Sequence, residues 1–161
     1  MANLTVNLGT DFEELMNKLE ASSGEIMKMA VYEGSAVAAN QIRKNLQALP
    51  EENFRMLQEE EQFAGVPKTQ KEDLLNALGI SKILADEQGF INAKIGFDGY
   101  GSKPTKKYKQ GLPNKLLARS IESGSSVRKK TPFVRPAIEQ TKEGVKETMQ
   151  NTISEEIEKR R

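Results

Sequence analysis

The sequence contains no cysteine, no histidine and no tryptophan, and aromatic residues make up only 6% of it. The first two absences remove a large part of catalytic chemistry. Cysteine nucleophiles, Ser-His-Asp triads, zinc centres and haem ligation each need one or the other. A carboxylate-only metal site, or a Lys or Tyr catalyst, stays open. Without cysteine there is no disulfide staple, which is compatible with a chain made and kept in a reducing cytoplasm. No apolar run approaches the roughly 18–20 residues that span a bilayer, so no membrane segment is expected. The opening Met1-Ala2-Asn3-Leu4-Thr5 has neither the basic nor the apolar region of a secretory signal.

What is present is polar. The chain has 161 residues, the size of one ordinary domain, with 37% hydrophobic and 29% charged residues. That balance suggests long solvated helices and extended loops around a modest core. The net charge of +1 is unevenly spread. Residues 1–97 hold 9 Lys/Arg against 15 Asp/Glu, residues 98–135 hold 10 against 2, and residues 136–161 hold 5 against 6. A basic segment is thus set in an otherwise acidic protein.

Hydrophobic periodicity gives the elements. Leu4, Val6 and Leu8 alternate as a short strand, and Phe12, Leu15, Met16 and Leu19 mark an amphipathic helix over 11–20 behind a Thr10/Glu13 capping box. A second capping box, Ser22/Glu25, opens a long helix to about Leu49, with Met27, Val31, Gly34, Ala38, Ile42 and Leu46 on one face. Its small middle residues invite close packing, and Pro50 ends it. Residues 51–68 are acidic and read as a solvated turn or loop. A short helix follows over 70–78, with Gly79 as its C-cap residue. Ile80 to Ala85 and Phe90 to Phe97 read as a β-hairpin about the turn Asp86-Glu87-Gln88-Gly89. Residues 98–115 form a long lysine-bearing loop, and Leu116 to Glu122 is read as a returning strand. The last helix opens at Pro132-Phe133-Val134-Arg135-Pro136-Ala137. Val134, Ile138, Val145, Met149, Ile153 and Ile157 mark its apolar face.

The expected architecture is therefore α+β. A small antiparallel sheet of three to four strands packs against a long central helix and a long C-terminal helix. Residues 1–161 form a single domain with flexible loops near 50–68 and 98–115.

Few patterns carry chemistry. The pairs Glu13/Glu14, Glu51/Glu52 and Glu155/Glu156 lie in polar stretches without an apolar wall to raise a pKa, and read as solvated. Gly96-Phe97-Asp98-Gly99-Tyr100-Gly101 follows a strand but lacks the helix and the GK[ST] of a phosphate loop. No catalytic residue, metal or cofactor is assigned. The basic segment stands out: Lys103, Lys106, Lys107 and Lys109 surround Tyr108, and Arg128, Lys129 and Lys130 follow. Three readings stay open for it. It is a solvated loop, a nucleic-acid-binding surface over 103–130, or a docking surface for an acidic protein patch, including that of a neighbouring copy.

The stretch Ser120-Ile121-Glu122-Ser123-Gly124-Ser125, the basic loop after it, and Thr131-Pro132-Phe133-Val134-Arg135-Pro136-Ala137-Ile138 resemble a siphophage family. These are the tail-component, tail-completion or head–tail joining proteins. The likeness lies in an E-x-G-[ST] strand end, a P-F-x-R-P-A helix start and a long amphipathic last helix. Val6 to Leu15, the helix over 23–49 and Leu78-Gly79-Ile80-Ser81 also fall in the family's order. Departures are the residues flanking Glu122, which are not aromatic, and the longer stretches 50–66 and 98–115.

The resemblance implies a non-enzymatic subunit of the virion neck, made in the bacterial host cytoplasm and binding as a hexameric ring. Its implied partners are further copies of itself and the tail terminator, tail-tube and head–tail connector proteins. Contact with DNA through the basic loop is the alternative. The residues expected at interfaces are Lys103, Lys106, Lys107, Tyr108, Lys109, Arg128, Lys129, Lys130 and Arg135. Glu122, Gly124, Pro132, Phe133 and Pro136 form the structural motif.

Overall fold

The computed structural model describes residues 2–5 and 23–160. Its elements run β1 (Ala2–Thr5), α1 (Ser23–Ala48), α2 (Lys68–Ala77), β2 (Leu78–Ile80), β3 (Leu84–Ala85), β4 (Ile91–Phe97), α3 (Asn114–Ser123) and α4 (Val134–Lys159). The fold is α+β, with a small antiparallel sheet set against two long helices. The expected helix over 11–20, and Val6 and Leu8 of the expected first strand, lie outside the described residues.

The three-and-four step that begins at Ile26 becomes α1, which buries Ile26, Ala30, Val31, Gly34, Ala38, Ile42 and Leu46. It lies antiparallel to α4. Gly34 faces Val145 and Met149, while Asn45 Nδ2 donates to Phe133 O and Gln140 Oε1, both at 3.2 Å. At the far end the Arg160 guanidinium is 3.8 Å from the Glu25 carboxylate. The small residues of α1 make this approach possible: a Cβ on Gly34 would sit 2.7 Å from Met149 Cγ. On the touching faces the buried Ser35 and Thr141 hydroxyls donate to Val31 O and Ala137 O, each at 2.7 Å. Neither hydroxyl is left unpaired in the core.

The buried line of α4 is Ala137, Thr141, Val145, Met149 and Ile153. The expected Val134 and Ile138 flank it and are only half-buried. The smaller Ala137 and Thr141 take the buried line in the first turns.

β4 is the centre of the sheet. β1 pairs along one side of it, Ala2 opposite Ile95 and Thr5 opposite Asn92. β2 and β3 pair with it in succession, Leu78 opposite Phe97, Ile80 opposite Ile95, and Leu84 opposite Asn92. From Ile80 to Leu84 the chain advances one residue more than β4 does, which makes a bulge. Ser81 fills it: its N–H donates to Lys94 O at 2.7 Å and its Oγ accepts Lys94 N–H at 2.8 Å. Ala93, Ile95 and Phe97 are the buried side of β4, while Lys94 is exposed.

Two expectations are corrected. Leu116 to Glu122 is not a strand but part of α3. Leu117, Ala118 and Ile121 are buried at i, i+1 and i+4, with Lys115 and Arg119 outward, and most of these residues favour a helix. Gly79 does not cap α2. It lies in β2 opposite Gly96, and Leu78 already turns extended at φ −65°, ψ 125°. Sheet pairing captured the chain at once after α2.

Residues 49–67 form an irregular strap that is nonetheless tied down. Val66 N–H donates to Pro50 O at 2.8 Å and Glu52 N–H to Val66 O at 3.1 Å. Phe63 N–H donates to Val127 O and Lys129 N–H to Phe63 O, both at 2.9 Å. Lys71, buried in α2, donates from Nζ to Leu49 O at 2.5 Å and to Gln47 O at 3.2 Å, satisfying carbonyls at the end of α1.

Candidate functional site

The motif segments meet through one carboxylate. Glu122, in the last turn of α3, reaches across to the start of α4. Its Oε2 accepts the N–H groups of Phe133 at 2.8 Å and Val134 at 2.9 Å, and its Oε1 accepts that of Arg135 at 2.9 Å. These are donors that a helix start leaves without internal partners, so Glu122 acts as a remote cap. Gly124 makes the return possible. It ends α3 at φ 79°, and a Cβ there would lie 2.9 Å from Lys130 N. Thr131 N–H then donates to Ile121 O at 2.9 Å. Phe133 is fully buried, its ring edge-on to Phe97 with centroids 6.0 Å apart. Pro132 precedes it, and Pro136 occupies the first turn of α4, where no N–H is required. Glu122, Gly124, Pro132, Phe133 and Pro136 thus form one joint. The E-x-G-S segment ends a helix here rather than a strand.

The basic residues divide into three groups. The tip of the 98–113 loop presents Lys103, Lys106, Lys107 and Lys109, all exposed. The loop closes at its base, where Gly101 N–H donates to Leu112 O at 2.8 Å. It is tied to α2 by Ser102, whose N–H and Oγ donate to Asp73 Oδ2 at 3.0 and 3.1 Å. Tyr108 is half-buried and holds the tip turn. Its N–H donates to Thr105 Oγ1 at 3.0 Å, and its carbonyl accepts Thr105 and Gly111 N–H groups. Lys107 Nζ lies 5.5 Å from its ring.

Lys129 and Lys130 form a second exposed group. Arg128 does not belong with them, because its side chain turns inward beneath the strap and is 6% exposed. Its guanidinium donates to Gln70 Oε1 at 3.0 Å and lies 5.9 Å from the Phe54 ring centroid. Among the described residues it has no carboxylate partner, and desolvation lowers its pKa.

Arg135, expected at an interface, belongs to a third group whose other members, Lys115 and Arg119, were not expected there. α3, the start of α4 and the end of β4 enclose a groove with a cavity volume of about 520 Å³. Ile95, Phe97, Leu116 and Val134 supply apolar lining, and Lys115, Arg119 and Arg135 stand at it with Glu122. The signal that would have found it is the i, i+4, i+7 spacing of Lys115, Arg119 and Glu122, visible only once 114–123 is a helix.

The acidic strap faces the opposite way in charge. Glu52 Oε2 accepts Ala64 and Gly65 N–H groups at 2.8 and 2.9 Å, and these bonds lower its pKa. Glu61 pairs with Arg55, whose hydrogen bond brings its pKa down to about 2. Of the carboxylate pairs expected to be solvated, Glu52 therefore works as a loop tie. Glu156 is 7% exposed and paired with Lys159 and Arg160. Among the described residues no three acidic side chains gather as a metal-holding group, and no helix is long and apolar enough to cross a membrane.

Compared with models of protein families, with curated proteins and with solved structures, the chain matches none. The family resemblance rests on its own motif residues.

Proposed function

We propose that this chain is a structural virion or assembly protein of a tailed bacteriophage, joining or completing the tail at the head–tail interface as part of a ring. It acts by binding and not by turnover. The observation that carries the reading is the Glu122 joint. The two segments that bear the family resemblance are physically one unit, and the long α4 runs on directly from it. The separation of acidic strap from basic groove and lysine tip supports head-to-tail contact between copies, since a heterologous interface brings unlike surfaces together. The tail terminator, tail-tube and connector proteins are the proposed neighbours, and the virion neck the proposed location. Mass photometry of the full chain, alone and with the tail-tube and connector proteins encoded beside it, tests this. A closed oligomer is expected. A strict monomer in every combination would overturn it.

The four exposed lysines at one loop tip favour a second reading, a nucleic-acid-binding surface. That reading predicts affinity falling steeply with salt. Each lysine that neutralises a phosphate then contributes about 0.9 to the logarithmic salt slope on duplex DNA. Lys106→Ala and Lys107→Ala each flatten the slope, whereas substituting the inward Arg128 leaves it unchanged. Binding that ignores salt would remove this reading.

A further inference from the structure

The strap and the groove carry opposite, unused features. At the strap's outer turn Glu60 holds φ 63°, and it and Glu59 are exposed. Neither takes part in an ion pair among the described residues, although Glu52 and Glu61 are both held by Arg55. Earlier in the same strap, Met56 is 94% exposed, more than any other large hydrophobic side chain of the described residues, and Phe54 is 57% exposed. A single exposed apolar side chain needs no explanation. A methionine this exposed, three and four residues before two carboxylates without an ion pair among the described residues, is the composition of a plug with a charged collar.

The groove has the complementary composition. Its apolar lining includes Ile95, Phe97, Leu116 and Val134, and about 520 Å³ lies within the ~300–1,000 Å³ of ligand clefts and cavities. Lys115, Arg119 and Arg135 enter no ion pair among the described residues, and their side chains donate no hydrogen bond there. Glu122, at the same groove, forms no ion pair with them; its carboxylate accepts three backbone N–H groups instead, so one negative charge stands against three positive ones.

We infer that the strap turn of one copy docks into the α3–α4 groove of a second copy. Met56 enters the apolar lining, and Glu59 and Glu60 meet Lys115, Arg119 and Arg135. The buried methionine supplies affinity, and the charges at the margin supply orientation and association rate. The contact is heterologous, so it propagates from copy to copy. Whether it closes rests on the ring reading above.

Charge reversal on each side tests the contact in the full chain. The strap variant is E59K/E60K and the groove variant R119E/R135E, all at exposed positions; circular dichroism verifies that both fold. Sedimentation velocity at high protein concentration is expected to show self-association of the parent chain and its loss in either variant alone. An equimolar mixture is expected to regain it, because each variant's strap then meets the other's groove. In a mixture of isotopically light and heavy parent chains, a zero-length amine–carboxylate cross-linker is expected to join Glu59 or Glu60 of one copy to Lys115 of another.

Failure of the mixture to recover, or a cross-link found only within one copy, would overturn the inference. Oligomers that form with the tail proteins, survive both variants and lack the cross-link would overturn this contact and leave the ring reading standing. A cross-linked assembly that never closes, alone or with those proteins, would keep the contact and remove the ring.

Discussion

Glu122 accepts the backbone N–H of Val134 at 2.9 Å, joining the end of one helix to the start of the next through a side chain. The same carboxylate serves Phe133 and Arg135, so its loss exposes three donors at once. Glu122→Ala is expected to destabilise the protein by about 2 kcal/mol, at the upper end for loss of a helix cap. Glu122→Gln keeps one acceptor and lies between. Urea unfolding followed by circular dichroism measures both. Equal stability of Ala and parent would mean that solvent caps α4 as well as Glu122 does.

Two helical glycines are expected to respond to alanine with opposite signs. At Gly34 the new Cβ would lie 2.7 Å from Met149 Cγ and 3.2 Å from Val145 Cγ1, both in the α1–α4 seam. Overpacking of this kind costs about 1–3 kcal/mol, more than the ~1 kcal/mol gained from helix propensity. At Gly144 the nearest atom is Val37 Cγ1 at 3.9 Å, an ordinary contact. There alanine is expected to stabilise by about 0.5–1 kcal/mol. Thermal melts of Gly34→Ala and Gly144→Ala decide it, and equal signs would contradict the close approach of the helices.

The strap is expected to loosen in acid. Glu61 has its pKa lowered to about 2 by Arg55, and Glu52 has its pKa lowered by the Ala64 and Gly65 amides. A carboxylate with a depressed native pKa stabilises above its unfolded value and loses that contribution as pH falls through the native one. For Glu61 the window therefore runs from about 4.5 down to about 2. Carbon NMR titration is expected to place both residues below the ordinary glutamates, with Arg55→Ala returning Glu61 toward them. Protection of the Ala64 and Gly65 amides against exchange should fall as Glu52, which holds them, is protonated. Glu61 titrating with the ordinary glutamates would show that the Arg55 pair does not persist in solution.

The long helices were legible because periodicity over many turns averages out local ambiguity, and Pro50 and Pro132 punctuate them plainly. The hairpin of Ile80 to Ala85 with Phe90 to Phe97 was legible in part, from its alternation and its Asp86–Gly89 turn, but its first arm breaks at Ser81–Ile83 and leaves β2 and β3 as separate strands. What escaped was everything that depends on a distant partner. Gly79 reads as a helix stop until Gly96 is known to lie opposite it. Leu116 to Glu122 is short enough that its apolar residues satisfy either period, and burial against β4 and α2 decides for the helix. Arg128 looks like its lysine neighbours in sequence. Only the strap folding over it separates an inward guanidinium from an outward basic patch. The motif residues around Glu122 were visible, but the cap that unites them was not, since it spans 12 residues and two helices.

The central position of β4 has a consequence for the order in which the chain becomes a protein. Among the described strands β1 pairs only with β4, Ala2 lying opposite Ile95. At about 5–20 residues per second on a ribosome, β1 is made roughly 5–20 s before its partner. During that interval α1 can coil locally, but the sheet has neither its middle nor a reason to form. Among the described strands, formation of the sheet is thus set by a wait: β1 is held in reserve until β4 closes over it.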